Sequence, residues 1–307
     1  MSYSQEIKNE LCNAKHICSH CLDAMLYGML LMSKGVTNHS ISLNTENKAV
    51  ADFFAFGIVE VTAAIVTVQS PDIKVRNKRP IYTITVEDQN DIQNIIDHFF
   101  EEGQVDKHSI QDNLLMDECC VRSFLRGAYC VCGAMINPIK EYHLEFSVMN
   151  QNVCEELIYI LQNYDLDFKM TTRGKNFIAY IKESQQIEDA LTCFGAIKSS
   201  MNLMNLKIEK ELRNTVNRRT NCETANIDKT VNASMSQIAN IELIMQKKGL
   251  DSLPIELKEV AILRLENPDM SLSELCALSN KSISRSGLNH RLKKICSIAE
   301  ELKNSNL

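Results

Sequence analysis

The sequence predicts an α+β chain in which one helix–strand unit occurs twice and an all-α region follows. Helical and strand-like hydrophobic periods alternate in the front part, and the same order of elements recurs about a hundred residues later. The last part has only helical periods, with capping signals between them. We therefore divide the chain into two similar halves, a helical linker and an all-α domain, at residues 1–105, 106–203, 204–250 and 251–307.

The composition is that of a folded protein. The 307 residues are 45% hydrophobic and 23% charged, with 10 Gly, 5 Pro and no Trp. These values exclude wholesale disorder and the collagen-like and low-complexity classes. The longest apolar stretch, residues 22–32, is too short to span a membrane, and the N-terminus has no signal-peptide pattern. We expect a cytoplasmic protein that does not bind a membrane.

Basic residues cluster although the net charge is −6. Residues 281–294 contain five basic side chains and no acid, and a second basic stretch covers residues 74–79. The members of the two stretches are Lys281, Arg285, Arg291, Lys293 and Lys294, and Lys74, Arg76, Lys78 and Arg79. An acidic chain with basic islands suits a polyanion that is bound locally, such as nucleic acid.

Each half of the front part predicts a helix, a strand, a second helix, a hairpin and a closing helix. In the first half these elements fall at residues 22–32, 40–44, 49–59, 64–86 and 91–100. In the second half they fall at residues 121–132, 142–146, 153–163, 166–181 and 186–194. The repeated order indicates two related α+β units.

The first helix of each half contains a glycine, Gly28 or Gly127. Glycine inside a helix costs about 1 kcal/mol relative to alanine, so close approach of two helix backbones would explain it; a tolerated glycine in a buried helix is the alternative. The spacing resembles the LAGLIDADG motif of homing endonucleases, where two such helices pack at a pseudo-two-fold axis. In that family each motif ends in an acid that binds a divalent metal.

The positions that match those acids are Ser33 and Cys132. Neither side chain replaces a carboxylate that bridges two Mg²⁺ ions, because hard cations need oxygen ligands. The resemblance therefore implies the LAGLIDADG scaffold without its nuclease chemistry. A metal-dependent endonuclease remains the disfavoured alternative.

The sequence pattern of the linker and the tail predicts helices. No Gly or Pro lies between Gly195 and Gly249, so we expect ordered connecting helices, capped or cross-linked by Asn217, Asn221 and Asn226. In the tail, Pro254 suits a first helical turn and Asn267-Pro268 ends that helix. Ser271 and Glu274 have the spacing of a capping box, which starts the next helix. Its buried side would carry Leu272, Leu275 and Leu278.

A third tail helix follows a turn of about five residues, with Ser284 as its cap. Leu288, Leu292 and Ile295 form its buried stripe. This is a helix-turn-helix pattern whose second helix has a basic outer face, and we expect it to bind double-stranded DNA. The expected DNA-binding residues are Lys281, Ser284, Arg285, Ser286, Asn289, His290, Arg291, Lys293 and Lys294. A three-helix bundle with a solvated basic face is the alternative.

Lys and Arg would contact phosphates, whereas Ser286, Asn289 and His290 are short enough to read base edges. In the front part, Lys74, Arg76, Lys78 and Arg79 are further candidate DNA contacts.

The whole pattern resembles the WhiA family of sporulation and cell-division regulators. The residues that carry this resemblance are at 122–128, 142–145, 217–230 and 284–292, with weaker matches at 2–11 and 45–47. The resemblance implies a non-catalytic, nucleoid-associated DNA-binding protein that regulates transcription and takes part in cell division, chromosome segregation or sporulation. Other transcription or division proteins are further partners that it leaves open. The chain departs from the family at Cys130-Val-Cys132, where Leu-Ala-Gly is usual.

Two further hypotheses concern metal binding by the cysteines and the kind of macromolecule that the protein binds. Cys18 and Cys21 flank His20, which suggests zinc, but a structural site normally needs a second ligand pair. The next cysteines, Cys119 and Cys120, are adjacent and about a hundred residues away, so we predict no metal site and no cofactor. A redox role of the cysteines stays open.

Recruitment of proteins rather than DNA is a third candidate function, and it would make the basic charges of the tail dispensable.

Overall fold

The computed structural model describes residues 2–70, 80–279 and 283–304 and divides into two compact units, Met1–Lys210 and Glu211–Leu307. The basic residues Lys74, Arg76, Lys78, Arg79 and Lys281 lie outside the described residues. None of the described helices has the length and apolar character required to cross a membrane.

The first unit confirms the predicted α+β duplication. Its first half contains α1 (Tyr3–Cys12), α2 (Cys21–Met32), β1 (Gly35–Thr37), β2 (Ser40–Thr45), α3 (Lys48–Thr62), β3 (Val66–Gln69), β4 (Tyr82–Val86) and α4 (Gln89–Phe99). Its second half contains α5 (Glu118–Cys132), β5 (Gly133–Met135), β6 (Leu144–Val148), α6 (Gln151–Gln162), β7 (Lys169–Arg173), β8 (Asn176–Ile181) and α7 (Ser184–Phe194).

Two antiparallel sheets repeat the same topology. The strand orders are β1-β2-β4-β3 and β5-β6-β8-β7. The short strands β1 and β5 and the helix α1 were not anticipated from the sequence. Three residues are too few to show a period, and β1 and β5 form only as edge partners of β2 and β6.

The helices α2 and α5 pack against each other at the centre of the first unit. Gly28 and Gly127 lie at the contact: a Cβ atom on Gly28 would be 2.4 Å from the carbonyl oxygen of Phe124, and one on Gly127 would be 2.0 Å from that of Met25. The predicted close approach of two helix backbones is confirmed. Both helices are buried on nearly every side, which explains why α2 is apolar all round.

One helix, α8 (Ile197–Lys248), replaces the several connecting helices that we expected. The segment without Gly or Pro gives no position where the helix would break. Asn217, Asn221 and Asn226 lie exposed in the helix interior, so their predicted capping role is wrong. The predicted domain boundaries at 105/106, 203/204 and 250/251 stay predictions.

The second unit contains the end of α8 with α9 (Ile255–Glu266), α10 (Leu272–Leu278) and α11 (Arg285–Asn304). Its core joins residues of all four helices, including Ile244, Val260, Leu275 and Leu292. The capping box is confirmed: the Ser271 amide donates to Glu274 Oε2 at 2.7 Å, and the Glu274 amide donates to Ser271 Oγ at 3.3 Å.

Leu278 was predicted to be buried, and this is wrong, because 48% of it is exposed. Leu278 is the last residue of α10, beyond the part of that helix that other helices cover.

Candidate nucleic-acid interface

The last helix, α11, is held by its apolar stripe. Leu288, Leu292 and Ile295 are at most 1% exposed, as the sequence predicted. The Gly287 amide donates to Ser284 Oγ at 3.2 Å, which confirms Ser284 as the N-terminal cap. Burial of this stripe fixes the rotation of the helix, so the residues on its other side face outward.

The outward side of α11 carries most of the predicted DNA-binding residues. At 100° per residue Ser286, His290, Lys293 and Lys294 lie opposite the apolar stripe, whereas Arg285 lies beside it in the first helical turn. Asn289 is half-buried at the flank of this side, and the exposed residues are Ser284, Arg285, Ser286, His290, Lys293 and Lys294. The sequence prediction of a basic face therefore agrees with the geometry, although Lys281 lies outside the described residues.

Arg291 lies differently from the other basic residues. Its Nη2 atom is 3.1 Å from Oε2 of Glu256 in α9, and its side chain is 25% exposed. Its Nη1 atom is buried and has no hydrogen-bond partner among the described residues. By helical rotation Arg291 is next to the apolar stripe, which explains why it contacts α9 instead of facing outward.

A buried arginine organises the turn between α9 and α10. Arg264 is 2% exposed, and its Nη1 atom donates to the carbonyl oxygens of Met270 at 2.7 Å and Asn267 at 3.3 Å. Burial lowers the pKa of its guanidinium. The same Nη1 atom donates to the Ser234 hydroxyl at 3.3 Å, and because a buried guanidinium needs such partners, Arg264 fixes the turn that orients α10.

In the other unit, Ser33 and Cys132, which the sequence analysis matched to the acids of the LAGLIDADG motif, lie at the C-terminal ends of α2 and α5. Ser33 is 6% exposed and its hydroxyl donates to the carbonyl oxygen of Ser42 at 2.9 Å. Burial raises the pKa of the Cys132 thiol to about 12, so this group is a neutral thiol at neutral pH. Both side chains are therefore poor ligands for a hard divalent cation.

A lysine that the sequence did not single out reaches the end of α2. The Lys107 ammonium donates to the carbonyl oxygens of Leu30, Leu31 and Ser33, at 2.7 Å for Leu31 and 3.2 Å for Ser33. Burial lowers its pKa to about 7. It adds a donor at the C-terminal end of α2, where the last carbonyls lack a full set of intrahelical partners, and it places an amine at the end of this helix.

On the second sheet, the motif at residues 142–145 forms a charged network. Arg173 binds Glu145 with two parallel hydrogen bonds of 2.7 and 2.8 Å, and His143 Nε2 is 2.7 Å from Glu145 Oε2. Burial would raise the pKa of Glu145, but the bonds from Arg173 and His143 lower it. Because Arg173 is engaged by this carboxylate, it adds little free positive charge to the sheet.

Comparisons with known proteins agree over the whole chain. The family model of the WhiA C-terminal HTH domain matches residues 216–299, and that of the WhiA LAGLIDADG-like domain matches residues 121–213. The chain is 36% identical over 317 residues to the probable cell division protein WhiA of Clostridium novyi (strain NT), covering 99% of both. It is also 36% identical to the protein of that name from Caldicellulosiruptor saccharolyticus, covering 99% of this chain and 96% of the relative.

A crystal structure of full-length DUF199/WhiA from Thermatoga maritima has the same fold. Its TM-score is 0.59 at 24% identity, and the match covers 98% of this chain and 99% of that chain. The predicted order, a LAGLIDADG-like region followed by a helix-turn-helix domain, is confirmed.

Proposed function

The chain belongs to the WhiA family, whose relatives are named probable cell division proteins, and on this premise we propose that it is a non-catalytic DNA-binding regulator of transcription. The observation that carries the proposal is the exposed basic side of α11, on a helix whose rotation is fixed by its buried stripe. Binding of chromosomal DNA would locate the protein at the nucleoid and connect it to cell division, chromosome segregation or sporulation.

In this proposal the contacts of α11 divide into two kinds. Arg285, Lys293 and Lys294 neutralise phosphates and supply salt-dependent affinity that is independent of sequence. Ser286, Asn289 and His290 lie on the same side and can reach base edges in the major groove, where Asn pairs well with adenine. The N-terminal end of the helix, capped by Ser284, favours a nearby phosphate.

The ion pair with Glu256 gives Arg291 a structural role that differs from phosphate binding. While Arg291 is paired with that carboxylate, it orients α11 against α9 and contributes little net charge to the DNA-facing side. We therefore assign the main phosphate contacts to Arg285, Lys293 and Lys294. Arg291 reaches DNA only if it leaves Glu256, which makes its contribution conditional on breaking that pair.

The proposal that the protein is not a nuclease rests on the ends of α2 and α5. Ser33 and Cys132 lack carboxylates, and the Lys107 amine already occupies the carbonyls at the end of α2. Lys8 lies close enough to Cys132 to interact with it electrostatically. Two amines beside the positions of the missing acids disfavour divalent cations there, which argues against metal-dependent cleavage.

DNA binding by the full chain at two salt concentrations tests the proposal. The chain is titrated onto labelled genomic fragments at about 50 mM and about 200 mM salt, with Mg²⁺ present. Arg285→Ala/Lys293→Ala should weaken binding at both concentrations and reduce the slope of log K against log salt by about 2, one unit for each lost phosphate contact.

The matched control is Arg218→Ala/Lys248→Ala, which removes the same charge from exposed positions of α8. It should bind DNA like the unmodified chain. Equal losses in the two double variants would contradict a specific site on α11. Cut DNA would restore the nuclease alternative, and the absence of any binding would favour recruitment of proteins.

A further inference from the structure

Four cysteines from two distant parts of the sequence converge at the N-terminal ends of α2 and α5. The Sγ atoms of Cys18, Cys21, Cys119 and Cys120 all lie within 4.8 Å of one another. Cys18 Sγ is 3.4 Å from Cys21, 3.5 Å from Cys119 and 3.7 Å from Cys120. Cys119 and Cys120 are about a hundred residues from Cys18 in the sequence, and only the packing of α2 on α5 brings the two pairs together.

We propose that these four cysteines bind one structural Zn²⁺ ion. In a tetrahedral site with Zn–S bonds of about 2.3 Å, neighbouring sulfurs are about 3.8 Å apart, so the observed spacing requires only small adjustments of the side chains. Thiolates are soft ligands that select zinc over Mg²⁺ or Ca²⁺. The cluster contains four protein ligands and no spare position for water, which is typical of structural sites rather than catalytic ones.

The surroundings of the cluster also suit thiolates. Cys18 and Cys21 span a tight turn in which the Cys21 amide donates to the Cys18 carbonyl oxygen at 3.3 Å. The Ser123 side chain and backbone amides of the same turn hydrogen-bond the Cys21 sulfur, as supporting groups around metal ligands do. Because Cys21 and Cys120 lie in the first turns of their helices, both helix dipoles favour negative charge at the site.

One buried arginine would offset the net negative charge of a zinc ion bound by four thiolates. Four thiolates and one Zn²⁺ ion carry a net charge of −2, and Arg126 lies close enough to Cys21 to interact with it electrostatically. Arg126 is 7% exposed, and its Nη1 atom has no hydrogen-bond partner among the described residues. A negatively charged centre nearby would compensate this guanidinium.

A cluster of small apolar thiols is the simplest alternative. Three other cysteines of the first unit have the arrangement expected of apolar thiols: Cys154 is a single buried thiol, and Cys12 and Cys130 form one pair with their sulfurs 3.9 Å apart. In the part of the chain that the structure describes, the only convergent group of three or more metal-ligating side chains is this one. Its location is opposite to Ser33 and Cys132, at the other ends of the same two helices.

The zinc ion would join the two halves of the first unit. Cys18 and Cys21 belong to the first half and Cys119 and Cys120 to the second, so the ion links α2 to α5 at one end of their glycine contact. Binding to the folded form alone would stabilise the paired helices and make the melting temperature depend on zinc.

The metal content of the full chain tests the proposal. The protein is produced in zinc-supplemented medium, purified under reducing conditions and dialysed. It should then contain about one zinc ion per chain by inductively coupled plasma mass spectrometry. Cys21→Ser and Cys120→Ser should reduce this to nearly none. The matched control is Cys154→Ser, which removes an equally buried thiol from the same unit and should retain the ion.

Because the buried variants can fail to fold, Cys18→Ser and Cys119→Ser, at partly exposed positions, are measured as well. On the unmodified chain, Co²⁺ added after chelation should give the charge-transfer and visible bands of tetrahedral thiolate coordination. Zn²⁺ should protect these four cysteines, and not Cys222, from alkylation. Iron in place of zinc, zinc retained in the folded variants, a disulfide within the cluster, or equal alkylation with and without Zn²⁺ would overturn the proposal.

Discussion

Replacement of Gly127 by alanine tests the close packing of α2 and α5 most directly. A Cβ atom at this position would lie 2.0 Å from the carbonyl oxygen of Met25 and 2.9 Å from its carbonyl carbon. A tolerable carbon–oxygen contact needs about 3.3 Å, so the two helices must separate by about 1 Å. The obstacle is backbone in the middle of a buried helix, and no rotamer change can remove it.

The expected magnitude follows from two opposing effects. Overpacking a core costs about 1–3 kcal/mol, and we take the upper value because backbone meets backbone. Alanine gains about 1 kcal/mol over glycine in helix propensity. The net loss of about 2 kcal/mol should lower the melting temperature of the unit Met1–Lys210 by about 4–8 °C.

Thermal unfolding by circular dichroism measures this loss, and amide hydrogen exchange in peptides from α2 and α5 localises it, because two compact units can unfold separately. The control is Gly57→Ala in α3, where the new Cβ would meet only the flexible end of the Leu26 side chain, at 2.8 Å. Its stability should stay within about 1 kcal/mol of the unmodified chain. Equal melting temperatures and equal exchange for the two variants would refute the argument.

Three further predictions concern buried charge and capping. Burial lowers the pKa of Lys107 from 10.5 to about 7, so between these values the unfolded chain binds more protons, and stability should rise by about 2 kcal/mol from about pH 7 to about pH 9. Lys107→Met should lose this rise, and urea unfolding of both proteins at each pH measures the difference. Ser271→Ala removes the capping box of α10 and should cost about 1 kcal/mol, measured by thermal unfolding of the second unit. Arg264→Met leaves the carbonyl oxygens of Met270 and Asn267 without this donor and should lower the free energy of unfolding of the second unit by about 2 kcal/mol. Unchanged hydrogen-exchange protection in α10 would contradict this prediction.

The sequence was sufficient for the elements whose periods are long and whose boundaries are capped. The apolar helices around Gly28 and Gly127 and the tail helices begin and end within a few residues of their predicted positions. The cap at Ser271 could be predicted because Glu274 is its partner three residues later, which is a local relation. Local relations of this kind can be recognised in the sequence because they do not depend on distant residues.

The sequence was insufficient where a side chain depends on a distant partner. The contact of Lys107 with the end of α2 joins residues more than seventy positions apart, and no local pattern marks it. The pairing of Arg291 with Glu256 and the meeting of Cys18 with Cys120 are also tertiary. The rotation of α11 gave one usable hint, because Arg291 falls beside the apolar stripe and away from the centre of the basic side.

The first unit separates two requirements that coincide in homing endonucleases, whose motif supplies both helix packing and metal ligands. Here the packing requirement is kept: Gly28 and Gly127 still allow backbone contact, and neither could change without moving a helix. The positions that the sequence matched to the acids hold Ser33 and Cys132, and the Ser33 hydroxyl stabilises the fold by donating to the carbonyl oxygen of Ser42. A scaffold can lose its carboxylates while keeping its glycines because the glycines determine the helix distance and the carboxylates do not. Loss of the glycine contact should therefore destabilise the first unit, whereas Ser33→Asp should by itself give no cleavage, since the Lys107 amine would pair with the new carboxylate.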